Sequence, residues 1–141
     1  MPDHHHNPSP IAAHLLGVHH IAIIASDIER SKRFYIDVLG CRVIAEEFRA
    51  ARNSWKVDLA IPNCYTAIEL FTFPDAPPRP NTPEAQGLRH LAFRVRDINV
   101  AVAHFQIFGV PVEPIRTDNA TGKRFTFFKD PDGLPLELYE T

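Results

Sequence analysis

The sequence predicts an α+β fold made of two tandem βαβββ modules. Three observations predict it: an internal repeat, matched helix and strand signals in each copy, and a proline-rich joint between the copies. The repeat is visible when His20-Ile-Ala-Ile-Ile-Ala-Ser-Asp27-Ile28 is set above His90-Leu-Ala-Phe-Arg-Val-Arg-Asp97-Ile98. His, Ala, Asp and Ile coincide, and most positions between them are apolar in both. Each copy closes on an apolar run broken by one glutamate, around Glu69 in the first and Glu137 in the second. His20 precedes Glu69 by 49 residues and His90 precedes Glu137 by 47. The two spacings agree because both halves repeat one order of elements.

The elements follow in chain order. Residues 1–14 are polar, carry His4, His5 and His6, and read as a disordered or tag-like tail outside any site. The first module spans 15–73. Residues 17–25, rich in Ile and Val, read as its first strand. Ser26 with Glu29 forms a capping box for a helix through about Leu39, whose apolar face is Ile28, Phe34, Tyr35 and Val38. Strand-like runs follow near 42–48, 55–61 and 66–73. Five prolines between Phe73 and Gly87 exclude a helix or central strand, so 74–87 is the linker. The second module, 88–141, begins with a strand over 88–96 and a helix capped by Asp97. That helix buries Ile98, Ala101, Val102 and Phe105. Its remaining strands lie near 111–116, 124–129 and 134–139, the last two joined by the turn Asp130-Pro-Asp-Gly133. The modules together form one domain.

Composition narrows the function. Hydrophobic residues are 45% and charged residues 23%, as in a folded globular protein. A net charge of −2 argues against a nucleic-acid or membrane partner. No apolar run approaches the roughly 20 residues of a membrane span. Cys41 and Cys64 fall in no paired motif and read as reduced packing residues of a cytoplasmic protein.

Side chains alternate along a strand, so one histidine per first strand and one glutamate per last strand can be aimed at the same face. Taken singly, each such histidine reads as a hydrogen-bonded core residue and each glutamate as part of a solvated face. Their joint occurrence at matched positions points instead to convergence of His20, Glu69, His90 and Glu137 on a pseudo-twofold axis. Imidazole and carboxylate suit borderline or hard divalent ions, and two carboxylates balance the charge of the ion. His19 competes with His20, but alternation places it on the opposite face and only His20 aligns with His90. His14 and His104 have no counterparts and read as surface residues.

Val18-His-His-Ile-Ala-Ile, the helix end Arg33-Phe-Tyr-Ile-Asp-Val-Leu-Gly40, Ile68-Glu-Leu70, Arg89-His-Leu-Ala-Phe93 and Asp130-Pro-Asp-Gly with Leu-Glu-Leu138 resemble the vicinal oxygen chelate superfamily, and within it glyoxalase I. The resemblance covers about residues 17–140. It implies a cupped, eight-stranded mixed sheet with one divalent ion, Zn, Ni, Co, Mn or Fe, held by those four ligands. It also implies a homodimer, with each site lying within one chain or shared between two. The activity implied is that of a lyase or isomerase. Metal-stabilised enediolate chemistry would move a proton on the hemithioacetal of a 2-oxoaldehyde and glutathione, with Glu137, and with it Glu69, as the catalytic carboxylates.

The implied substrate is a small anion with vicinal oxygens. Bacterial relatives carry an arginine four residues after the first histidine, where this chain has Ile24; the repeat equivalent, Arg94, faces the same side as His90 and is a candidate for that role. Arg52 and Lys56 lie in a basic stretch that reads as an anion-gripping rim or as a solvated hairpin. Lys123 and Arg124 follow a turn that, in related enzymes, contacts the distal part of the substrate. Other reactions of the superfamily stay open: epimerisation, extradiol dioxygenation, thiol transfer, or binding of a small molecule without catalysis.

Overall fold

A computed structural model describes residues 9–141; the histidines at 4–6 lie outside them. Pro10–Ala13 form a 3₁₀ turn inside the segment read as tail. The first module runs β1 (His20–Ile24), α1 (Ile28–Arg33), β2 (Arg42–Arg49), β3 (Ser54–Ala60) and β4 (Ala67–Phe71). The second runs β5 (Leu91–Val95), α2 (Ile98–Ile107), β6 (Arg116–Thr117), β7 (Arg124–Lys129) and β8 (Pro135–Glu140). Both modules are βαβββ, and the linker contains neither helix nor strand.

The eight strands are hydrogen-bonded as two four-stranded mixed sheets, ordered β1-β4-β3-β2 and β5-β8-β7-β6. In each, the first strand pairs in parallel with the last, and the last three are antiparallel. β1, which begins at His20, and β5, which directly follows His90, are therefore edge strands in equivalent places.

Three local expectations change. The first helix is capped by Asp27, whose carboxylate accepts from Arg30 N at 3.1 Å. Ser26 is diverted to the other module, where its N–H donates to Asp132 at 3.0 Å and its hydroxyl also meets that carboxylate. A local signal cannot compete with a partner 106 residues away that takes both Ser26 donors. After Arg33 the helix widens into a π turn over Phe34–Val38, which brings Tyr35 and Val38 inward with Ile28 and Ser31. The run expected as a strand over 111–116 is one only at its end: Pro111 and Pro114 lack the N–H a ladder needs, and Glu113 alone donates to Phe127 O. Asp97 caps α2 as expected, accepting from Asn99 N and Val100 N.

One core serves both modules. Ile68 and Leu70 of β4 are fully buried, as is Leu136 of β8, with Leu138 nearly so. Each such side chain contributes about 1.5–3 kcal/mol of hydrophobic stabilisation. Phe128 of β7 receives Phe34 from the first module and Phe105 from the second. At its edge, buried Tyr35 donates to Asp130 at 2.9 Å. The Asp130 carboxylate also accepts from Asp132 N and Leu134 N, closing the Pro-Asp-Gly turn. Burial pushes the Tyr35 phenol up, and the Asp130 charge adds to the shift, so the phenol stays protonated. Burial also holds Asp130 above the usual carboxylate range. Cys41 packs in this core and burial raises its thiol to about 11, whereas Cys64 is exposed. No helix among the described residues is long and apolar enough to cross a membrane.

Candidate metal centre

Register places the four predicted ligands. On β4, Glu69 lies opposite Ala22 of β1, two residues beyond His20; on β8, Glu137 lies opposite Ala92 of β5, two residues beyond His90. Alternation puts His20 and Ala22 on the same face of β1, and His90 directly precedes β5. The alanine has no bulk to fill the space between imidazole and carboxylate, so both pairs close. His20 Nδ1 lies 3.2 Å from Glu69 Oε2, and His90 Nε2 lies 3.6 Å from Glu137 Oε2. Both carboxylates are recessed, 14% and 12% exposed, beneath more open imidazoles.

These separations can be compared with a coordination shell. Ligand atoms about 2.1 Å from a metal, at angles between octahedral and tetrahedral, sit about 3.0–3.4 Å from each other. The His20–Glu69 pair, at 3.2 Å, matches two neighbouring positions around one ion, and the His90–Glu137 pair, at 3.6 Å, is slightly wider than that range. Imidazole and carboxylate without thiolate suit Zn, Ni, Co, Mn or Fe. The structure does not bring the pairs together in one chain: among the described residues, no three His, Cys, Asp or Glu side chains are arranged to hold a metal ion. His19 also departs from expectation. Its Nδ1 lies 2.9 Å from His20 Nδ1, just before β1 begins.

The two carboxylates differ in surroundings. Glu69 Oε1 lies 3.7 Å from Lys56 Nζ, which is held by Asp58 at 2.8 and 3.0 Å. That hydrogen bond, with the nearby acids, raises the Lys56 ammonium and keeps it charged. Glu137 has no lysine or arginine nitrogen within 4 Å among the described residues, and His90 is its neighbour.

The other basic residues divide. Lys56 borders Glu69. Arg52 lies over the Phe73 ring at 5.5 Å, toward the end of the same sheet. Arg94 is exposed on β5 opposite Tyr139, and Lys123 is exposed in the turn before β7. Arg124 is a correction. It shares a side with Thr126 and Phe128 and forms a two-pronged ion pair with Glu140 at 3.0 and 2.8 Å. Glu140 in turn accepts from Ile98 N, so Arg124 braces the start of α2.

A cavity of about 940 Å³ opens beside His90 and Glu137. Phe127 forms part of its wall and meets the His90 ring edge-on at 5.1 Å. Arg116 of β6 also lines it, with its guanidinium 5.0 Å from the Phe125 ring and 5.8 Å from that of Phe127. Neither Arg116 nor the phenylalanines were legible as site residues in the sequence. The alternation Phe125, Phe127 signals a strand face but not what that face does.

Comparison with known proteins bears on this arrangement. Residues 17–138 match the model of the Glyoxalase/Bleomycin resistance protein/Dioxygenase superfamily. The uncharacterized protein YaeR of Escherichia coli is 62% identical over 123 residues, covering 87% of this chain and 95% of that one. YwkD of Bacillus subtilis, also uncharacterized, is 58% identical over 126 residues, covering 89% and 98%. A 2-epi-5-epi-valiolone epimerase of Actinomyces is 26% identical, covering 87% and 78%. The crystal structure of a glyoxalase family protein from Enterococcus faecalis superposes with a TM-score of 0.83 at 45% identity, over 90% of this chain and 99% of that one.

Proposed function

Because the chain belongs to the glyoxalase/bleomycin resistance protein/dioxygenase superfamily, we propose that it is a divalent-metal-dependent enzyme of glyoxalase I-like lyase or isomerase type. Its substrate in this reading is the hemithioacetal of a 2-oxoaldehyde and a thiol, with glutathione as the candidate cosubstrate. His20, Glu69, His90 and Glu137 hold the ion, and two copies of the chain share each centre. The His20–Glu69 pair of one copy faces the His90–Glu137 pair of the other. The observation that carries the reading is the duplicated His–Glu pair, with nitrogen and oxygen 3.2 Å apart in one copy and 3.6 Å apart in the other. Sharing is supported by the position of both pairs at edge strands, whose free edges a second copy can approach.

A bound divalent ion supplies Lewis-acid polarisation of two adjacent substrate oxygens, which acidifies the neighbouring C–H bond. Glu137 takes that proton and returns it to the adjacent carbon, so the product is an isomer and no proton is gained or lost. Glu137 suits the role better than Glu69, because Lys56 Nζ lies 3.7 Å from Glu69 whereas no lysine or arginine nitrogen lies within 4 Å of Glu137 among the described residues. The recessed setting of Glu137 excludes much of the water that would exchange with the transferred proton.

Similarity to the epimerase favours one second reading. Removal of a proton from one face of a carbon and delivery of a proton to its opposite face is epimerisation, for which Glu137 and Glu69 would act as base and acid on the two faces.

Metal analysis followed by an assay with methylglyoxal and glutathione tests the proposal. The expected result is about one divalent ion per chain, formation of the thioester product, and loss of activity with retention of metal in Glu137→Gln. Metal without this isomerase activity turns the reading toward epimerisation or another metal-dependent reaction. A protein that takes up no metal is a binding module, and Glu137→Gln with full activity removes Glu137 from the role of base.

A further inference from the structure

We infer that Arg116 is the anchor for an anionic group of the substrate, and that the substrate is a small organic anion whose apolar part lies on Phe125 and Phe127. The inference rests on the metal-centre reading for the role of His90 and Glu137, and stands on its own for the recognition of the anion.

Arg116 has no carboxylate within 4 Å among the described residues, although the cavity it lines contains several acids. Those acids are largely committed. Glu84 is paired with Arg89, Asp130 accepts from Tyr35 and two backbone amides, and Glu137 belongs to the histidine pair. Glu113 is exposed and makes no ion pair with Arg116. The other arginine nearby, Arg79, is occupied by Asn81 and the carbonyls of Leu88 and Arg89. Arg116 is therefore the guanidinium in this cavity whose donors remain available.

Its placement is set by aromatic rings rather than by an acid. Guanidinium over a phenyl face is favourable by about 0.5–1 kcal/mol at an exposed site, and it leaves the N–H groups in the guanidinium plane free for a carboxylate or phosphonate. Phe127 touches both ends of the arrangement, with Arg116 on one side and the His90 imidazole on the other. One phenyl ring thus separates the anion donor from the candidate metal ligands, a span that a small molecule bridges.

The first module repeats the device. Arg49, at the end of outermost strand β2, lies 5.4 Å from the Phe71 ring of β4, two residues beyond Glu69. Its Nε is buried without a hydrogen-bond partner. In both sheets an arginine of the outermost strand reaches inward over aromatic rings beside the glutamate, and in neither does a salt bridge explain it.

Phenylphosphonate is a suitable probe, since it joins a dianion to a phenyl ring. Its binding is measured by titration calorimetry on the full-length protein, metal-free and Mn²⁺-loaded, for wild type, Arg116→Ala, Arg116→Lys and Arg42→Ala, an exposed arginine of β2 outside the cavity, with Mn²⁺ affinity and circular dichroism recorded for each. Wild type is expected to bind, Arg116→Ala to lose at least tenfold in affinity, Arg116→Lys to lose less, and Arg42→Ala to be unchanged. Mn²⁺ affinity is expected to be the same in all four. Absence of binding by folded wild type, or equal binding by Arg116→Ala, overturns the inference. Arg116-dependent binding by a protein that takes up no Mn²⁺ overturns the metal reading and leaves the anion anchor standing.

Discussion

If each metal centre takes one His–Glu pair from each of two chains, two inactive variants restore each other when mixed. His20→Ala removes a ligand from the first pair and His90→Ala from the second. The structure sets the expected size of the rescue because the pairs are partitioned cleanly, His20 with Glu69 on one sheet and His90 with Glu137 on the other. In a homodimer of either variant both centres lack one ligand. In the mixed dimer one centre lacks both histidines and the other is intact. Equal amounts of the two variants, exchanged freely, give mixed dimers as about half the population, each with one of its two twofold-related centres whole, so tight sites return to about one quarter of the wild-type number. Each parent loses a direct ligand, so its metal affinity is expected to fall by more than the ~10–100-fold that loss of a supporting residue costs. The assay is Mn²⁺ titration followed by paramagnetic resonance, before and after subunit exchange. Tight sites that stay at the level of the separate parents refute sharing between chains. Tight sites already present in either parent refute that histidine as a ligand.

Two further predictions concern the frame that holds the pairs. Tyr35→Phe removes the donor to Asp130 and is expected to cost about 1.5–3 kcal/mol in urea denaturation at pH 7, where the acceptor is charged. Asp130 is raised above its unfolded value of 3.8, so its contribution is fully present below that value and is lost as pH rises through the folded pKa. Tyr35→Phe removes an interaction that favours the ionised form; its cost therefore shrinks toward about 1 kcal/mol as the pH falls and Asp130 protonates, and a cost that is flat with pH refutes the account. Asp97→Ala leaves Asn99 N and Val100 N uncapped and is expected to lower stability by about 1 kcal/mol, read as a shifted urea midpoint at an unchanged slope.

The βαβββ order, the Asp97 cap and the two matched His–Glu pairs were legible in the amino-acid sequence because each depends on rules internal to one module. Alternation fixes which strand residues share a face, and duplication shows which of those faces matter. His20 pairs with Glu69, and His90 with Glu137, through strand register inside a single module. The tertiary structure alone decided what happens between modules. It moved Ser26 from a cap to a bond with Asp132 and left the two His–Glu pairs apart in one chain. Those outcomes depend on groups far apart along the chain, such as Tyr35 and Asp130 at a separation of 95 residues, whose meeting is set by how two buried faces pack and by no local pattern. Within the second module it also chose among partners that no motif marks, turning Arg124 toward Glu140 and laying Arg116 across Phe125 and Phe127.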